Sequence, residues 1–245
     1  MGLEVLQAGP GAEVTPAPEP ADAGSEPADA VSEPPDAVFY YDLASPDCYL
    51  VAERIRAELP VVCDWEPVHA VSLGLPDGGE GLDRETFAEA VAALELLPLR
   101  LPEAWPPDSA LAMRTATYAK GAGKSIAFSL AAFRQAFAGG RDLSEEATVL
   151  LAAAACEIHP AAALKGAGLR STAAALDAAG ARAQAAGVTA LPAFALPNGV
   201  TVCGPRALDE AIAATQRRSP TQAGNLSDAA GQQRSQPTRR EGFSG

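Results

Sequence analysis

The fold turns on the stretch Ala37-Val-Phe-Tyr-Tyr-Asp-Leu-Ala-Ser-Pro-Asp-Cys-Tyr-Leu-Val-Ala-Glu-Arg-Ile55. Val38 to Leu43 is dense in β-branched and aromatic residues and has the length of a buried strand. Ser45-Pro46-Asp47 then reads as a helix start. A serine caps free backbone N–H groups, proline fits the first helical position, and an acid in the first turn complements the helix dipole. Leu50, Val51 and Ile55 continue at roughly helical spacing, which places Cys48 one turn into a helix springing from a strand. Such a junction gathers unpaired N–H groups and stabilises an anion, a thiolate included.

The bulk composition narrows the function classes. The 245 residues carry 18 Lys and Arg against 31 Asp and Glu, a net charge of −13. That balance argues against nucleic acid or an anionic membrane surface as the main partner. No uninterrupted apolar run reaches the length of about 18 residues that a membrane-crossing helix needs. Met1-Gly-Leu-Glu-Val lacks the basic start and apolar core of a secretory signal, so a cytoplasmic protein with reduced thiols is expected. Cys48, Cys63, Cys156 and Cys203 are far apart, with no C-x-x-C and no zinc-ligand spacing. With His69 and His159 as the sole histidines, no metal site is expected.

Residues 1–36 hold eight acids and no base, and repeat Glu19-Pro-Ala-Asp-Ala as Glu26-Pro-Ala-Asp-Ala and Glu33-Pro-Pro-Asp-Ala. Prolines and the lack of an apolar seam rule out a coiled coil, and the segment reads as a disordered acidic tail. Pro60 to Pro67 predicts a second strand. One helix joins it to the first, so the two strands should lie parallel. From about residue 73 to 164 the pattern is helical. A helix is expected from Asp83 to about Leu97, another over Leu111–Lys120, and a third with Ile126, Leu130, Phe133 and Phe137 as its apolar stripe. Asp142 and Glu145 resemble a capping box for a fourth, with Leu143, Ala147, Leu150 and Ala154 facing inward. Leu169 to Ala186 reads as helix, although Gly180 weakens it as one rod. Asn198-Gly199 predicts a two-residue hairpin turn between Ala193–Leu196 and Val200–Cys203. A last helix runs from Ala207 to Arg217, and residues 218–245 form a second disordered tail.

The order of strands and helices is that of an α/β thioredoxin fold with an inserted all-helical subdomain, spanning about 37–217. Four motifs carry a more specific resemblance. They are Phe39-Tyr-Tyr-Asp-Leu-Ala-Ser-Pro-Asp-Cys-Tyr, Ala116-Thr-Tyr-Ala-Lys-Gly-Ala-Gly-Lys, Phe133-Arg-Gln-Ala-Phe-Ala-Gly-Gly-Arg-Asp-Leu and Gly187-Val-Thr-Ala-Leu-Pro-Ala-Phe. Together they resemble the DsbA-like thioredoxin-fold family. The branch they resemble includes 2-hydroxychromene-2-carboxylate isomerases and kappa-class glutathione transferases.

That resemblance implies a site. Ser45-Pro46-Asp47-Cys48 matches the position of the family's C-x-x-C motif, and Leu191-Pro192 matches its cis-proline pair. Serine in place of the leading cysteine excludes a dithiol cycle through this motif. It fits the branch in which serine donates a hydrogen bond to an external thiolate. The resemblance therefore implies a low-molecular-weight thiol such as glutathione as co-substrate, a small organic second substrate and no tightly bound cofactor. Catalytic candidates are Ser45 and Cys48; thiol- or substrate-binding candidates are Pro46, Asp47, Leu191, Pro192 and Arg206. Arg206 stands near where the branch carries an acid that contacts the amino end of glutathione, with Asp209 one turn late. Two alternatives stay open at this stage: a monothiol redox protein using Cys48, and a non-catalytic binding protein that retains the fold. The sequence does not specify an oligomeric state.

Overall fold

The computed structural model describes residues 36–76 and 82–217. The predicted tails (all but Asp36) and part of the glycine-rich loop after Leu75 lie outside the described residues. The chain runs β1 (Ala37–Tyr41), α1 (Pro46–Glu58), β2 (Cys63–Pro67), a 3-10 turn (Val71–Leu73), α2 (Arg84–Ala93), α3 (Ala110–Gly121), α4 (Ser125–Phe137), α5 (Glu146–Ala155), α6 (Pro160–Ala167), α7 (Arg170–Ala185), β3 (Ala193–Ala195), β4 (Thr201–Cys203) and α8 (Ala207–Gln216). The sheet order is β2-β1-β3-β4. β1 pairs parallel with β2 and antiparallel with β3, which pairs antiparallel with β4. This is the thioredoxin order with a helical segment between β2 and β3. No described helix is long and apolar enough to cross a membrane.

As an inner strand, β1 must be apolar on both faces, and the aromatic run of the opening stretch supplies that. The Phe39 ring stacks on Tyr41 at 5.2 Å and Phe194 at 5.1 Å, and meets the Trp65 edge at 5.1 Å. α4 covers this group from the inserted segment. Phe133 lies 6.1 Å from Tyr41 and 6.0 Å from Tyr49, and Phe137 stacks on Tyr49 at 5.0 Å. The buried Tyr41 hydroxyl is satisfied by Ser129 Oγ at 2.6 Å. One continuous core thus joins the sheet to the inserted helices. Charged pairs fasten the outside: Arg134 grips Glu53 through two 2.7 Å bonds between α4 and α1, and Arg54 reaches Asp209 of α8 at 2.7 Å.

Several expectations need correction. Phe133 and Phe137 face inward and Leu130 packs half-buried against the core, but Ile126 lies at the surface, and Phe128, Ala132 and Ala136 complete the buried face. Small alanines let neighbouring helices approach, so the inward face is wider than the large apolar residues mark. On α5 the buried residues are Thr148, Val149, Ala152 and Ala153, whereas Ala147 and Ala154 are exposed. In an alanine-rich helix apolarity says little about which side faces in. Asp142 forms a local turn instead of a capping box: its Oδ1 accepts from Ser144 N at 2.8 Å, and the N-cap residue is Glu145. α2 stops at Ala93, well before Leu97, and Glu95 reverses the chain at φ 54°. α6 carries the helical run past residue 164 to Ala167. The β3–β4 loop has three residues, not two. Leu196 N bonds Val200 O at 2.9 Å and encloses Pro197, Asn198 and a left-handed Gly199 at φ 77°. A Pro at the second position of the turn and a Gly at its end favour this longer, bulged connection.

α7 is one unbroken helix through Gly180. The glycine lets Leu73 approach closely, because a Cβ there would stand 2.8 Å from Leu73 Cδ2. Gly166 of α6 is tighter still, with Tyr118 of α3 lying flat against its backbone where a Cβ would be. Gly→Ala within a helix ordinarily gains about 0.5–1 kcal/mol. At Gly166 the collision with the ring should reverse the sign. We expect Gly166→Ala to lose about 1–3 kcal/mol. Thermal unfolding should report a drop in Tm of roughly 2–4 °C per kcal/mol for a chain this size; a rise would show that α3 and α6 separate freely.

Candidate active site

Ser45 has extended backbone (φ −83°, ψ 121°), and its Oγ accepts a hydrogen bond from Cys48 N at 3.3 Å. Pro46 opens the helix and Asp47 occupies its first turn, as the local sequence dictates. Ser45 is only 3% exposed and Cys48 is fully buried. Burial pushes the Cys48 thiol far above its ordinary pKa, and the Asp42 and Asp47 carboxylates add to that; the Ser45 hydroxyl and the Asp42 backbone oppose it. Asp47 is half-buried, and burial raises its pKa. Cys48 is thus held as a neutral core thiol, although it stands where a helix N-terminus favours an anion.

The residue that organises this end of the sheet is Asp42, which sequence reasoning passed over as the end of a strand. It is 2% exposed. Its Oδ1 accepts from Ala44 N at 2.9 Å and its Oδ2 from Ala70 N at 2.8 Å. Burial raises its pKa, opposed by these two backbone bonds, by a hydrogen bond from Ser109 and by the nearby His69. One carboxylate therefore ties together the β1–α1 turn, the segment after β2 and the start of α3. The available signal was an acid closing an otherwise apolar run, Val-Phe-Tyr-Tyr-Asp-Leu; such a charge needs a dedicated set of donors.

Beside Asp42 a cleft of about 430 Å³ opens between Ala44, His69, Val71, Pro106, Pro107 and Ser109. His69 is half-exposed, and its Nδ1 lies 2.6 Å from Ser72 Oγ. On the other side of β1, the Leu191–Pro192 peptide is cis. Tyr40 pairs with Ala193, so the continued register sets Pro192 beside Tyr41 and Leu191 beside Asp42. Pro192 O accepts from Gly204 N at 2.8 Å. Among the described residues the main-chain N–H and C=O of Leu191 have no hydrogen-bond partner.

Ser45, Pro46, Asp47, Cys48, Leu191 and Pro192 thus gather at one end of the sheet. Arg206 follows the turn tied to Pro192, but its side chain is 85% exposed and, among the described residues, reaches only Glu210, at 3.8 Å. Asp209 is engaged with Arg54. Cys63 and Cys203 are half-buried, Cys156 is buried, and all four thiols are free. His159 caps α6, its Nδ1 accepting from Ala161 N at 3.2 Å. Among the described residues no cluster of three or more His, Cys, Asp or Glu could hold a metal ion.

Residues 82–214 match the model of the DSBA-like thioredoxin domain. The chain belongs to that family. Three solved structures show the same fold at low identity. A 2-hydroxychromene-2-carboxylate isomerase superposes with a TM-score of 0.63 at 15% identity, over 74% of this chain and 94% of that one. A probable DsbA oxidoreductase from Streptomyces coelicolor gives 0.61 at 18% identity, over 85% and 94%. The cytosolic disulfide reductase DsbM from Pseudomonas aeruginosa, solved with GSH, gives 0.53 at 17%, over 74% and 97%. No curated protein matches the sequence. The family match begins at Leu82, so the helical segment and the cis-proline hairpin carry it.

Asp42→Ala would leave two backbone N–H groups buried without a partner. We expect it to cost about 2–4 kcal/mol, since each orphaned donor costs roughly 1–3 kcal/mol. The pH dependence has a definite sign. A raised carboxyl pKa means that the folded state binds the proton more tightly than the unfolded one, so the contribution of Asp42 falls as pH rises. The gap between the wild type and Asp42→Ala in chemical denaturation should be widest near pH 4 and narrow towards neutrality; a gap that widens with pH would contradict this.

Proposed function

We propose that this DsbA-like protein is a thiol-dependent isomerase, transferase or reductase that works with an external low-molecular-weight thiol instead of a dithiol of its own. The observation that carries the proposal is the pairing of Ser45 with a sealed Cys48. Serine holds the leading position of the redox motif, and the remaining cysteine is fully buried with its thiol pKa raised. Neither position supplies a redox thiol, while the N-terminus of α1 still favours an anion.

In this reading the Ser45 hydroxyl turns from its cap towards the incoming sulfur and hydrogen-bonds the thiolate. A bond to a charged partner contributes about 1.5–3 kcal/mol, equivalent to one to two pKa units on the thiol. Asp47 and Pro46 shape the helix start, and the unpartnered main chain of Leu191, fixed by Pro192, aligns the backbone of a peptide-like thiol. Arg206 presents a positive charge to solvent near the same end, which disfavours the ammonium end of glutathione and favours a thiol with an anionic group there. The second substrate is a small organic molecule. No bound metal or tightly held cofactor is needed, and nucleic acid or membrane has no part in the scheme. Four free cysteines and the net charge of −13 suit the cytoplasm.

The test is thiol–disulfide exchange between a monothiol and a soluble aromatic disulfide, run with glutathione and with other small thiols. Ser45→Ala should lower turnover more than tenfold. Loss of the helix cap costs only about 0.5–2 kcal/mol, so the variant should remain folded, as its thermal melt will show. An unchanged rate would remove Ser45 from the chemistry, and an absence of thiol-dependent turnover in the wild type would leave the fold as a binding module.

A further inference from the structure

We propose that His69 is a catalytic proton-transfer residue of the thiol site, acting from the cleft it shares with Asp42 and Ala44. The inference rests on the thiol-dependent reading above. Three observations place the imidazole there. First, the cleft lies at the carboxyl ends of β1 and β2, with Val68 N bonded to Tyr41 O at 3.0 Å, and open α/β sheets bind ligands at such ends. Second, Ala44, the residue immediately before Ser45, forms part of the cleft wall, so the cleft abuts the start of α1. Third, Nδ1 of His69 is engaged by Ser72 Oγ at 2.6 Å, and Nε2 has no partner among the described residues. Asp42 Oδ2 holds Ala70 N at 2.8 Å and so fixes the backbone that carries the imidazole.

With Nδ1–H donating to Ser72 Oγ, Nε2 offers a lone pair to the cleft. The S–H bond of the bound thiol breaks, its proton passes to Nε2, and its electron pair stays on sulfur at the head of α1. The thiolate attacks one sulfur of a disulfide substrate. A new S–S bond forms, the old one breaks, and Nε2 returns the proton to the departing thiolate. Nothing is oxidised or reduced beyond the exchange itself. The titratable side chains that line the cleft are His69, Asp42 from the β1–α1 turn and Asp108 ahead of α3, and no lysine or arginine is among them.

The test uses the full chain with a small monothiol and the soluble aromatic disulfide as probes. A general acid–base residue contributes about 10²–10⁴-fold. His69→Gln should therefore lower turnover at least tenfold and alter the pH profile of the rate. Added imidazole should restore part of the rate to His69→Gly and none to Ser45→Ala. A rate within twofold of wild type with the pH profile intact, beside an impaired Ser45→Ala, overturns this assignment and leaves the thiol-dependent reading standing. A loss without a change in pH profile and without imidazole rescue also overturns it, because that is the signature of a structural role. If Ser45→Ala is unaffected, or the wild type shows no thiol-dependent turnover, the underlying reading fails and this assignment falls with it.

Discussion

Asp42 carries a carboxylate almost wholly removed from water, and both of its oxygens accept from backbone N–H groups of different segments, Ala44 at 2.9 Å and Ala70 at 2.8 Å. A charge in that setting is costly unless its donors are already in place. The constraint acts in both directions. The carboxylate keeps the β1–α1 turn and the segment after β2 in register, and those segments hold the donors that make the buried charge tolerable. Ser45 lies three residues from Asp42 and is bonded to it, its N–H donating to Asp42 O at 3.1 Å. The head of α1, the position of His69 and the cleft between them are consequences of one polar anchor in an otherwise aromatic core.

A helix start facing a cis-proline can serve several chemistries, and the side chains at the first turn select among them. Here the leading position offers a hydroxyl and the fourth a thiol fully buried in the core. The same burial that stabilises the sheet raises the Cys48 pKa and removes it from thiolate chemistry. What remains is an anion-friendly helix end with a hydroxyl donor, an unpartnered backbone at Leu191 and an imidazole at the neighbouring cleft. In the proposed reading, such a site receives a sulfur from elsewhere.

The sheet and its order were legible because β1 and its helix announce themselves through strong local signals: an aromatic run, then Ser-Pro-Asp. The parallel pairing of β1 and β2 followed from the single helix between them. The faces of α4 and α5 were less legible. Alanine is nearly indifferent to burial, so Ala132, Ala136, Ala152 and Ala153 give no hint that they line a helix interface. Gly180 was misleading for a related reason: its place in the helix reflects the close approach of Leu73, which sequence spacing does not encode. In the site, Ser45, Cys48 and Leu191-Pro192 stood out through motif position. Asp42 did not, because its role depends on donors from three separate segments that only the folded chain brings together.

The account's central claim is that the reactive sulfur is supplied from outside and that Cys48 is a core residue. Alkylation of the native protein followed by mass spectrometry of its peptides tests this directly, with the half-buried Cys203 as an internal comparison. The account predicts that Cys48 stays unmodified in the native state, reacts once the chain is denatured, and forms no mixed disulfide during turnover with a small thiol. Modification of native Cys48 as fast as Cys203, or a mixed disulfide at Cys48 during turnover, would contradict it and place the chemistry on the protein's own thiol.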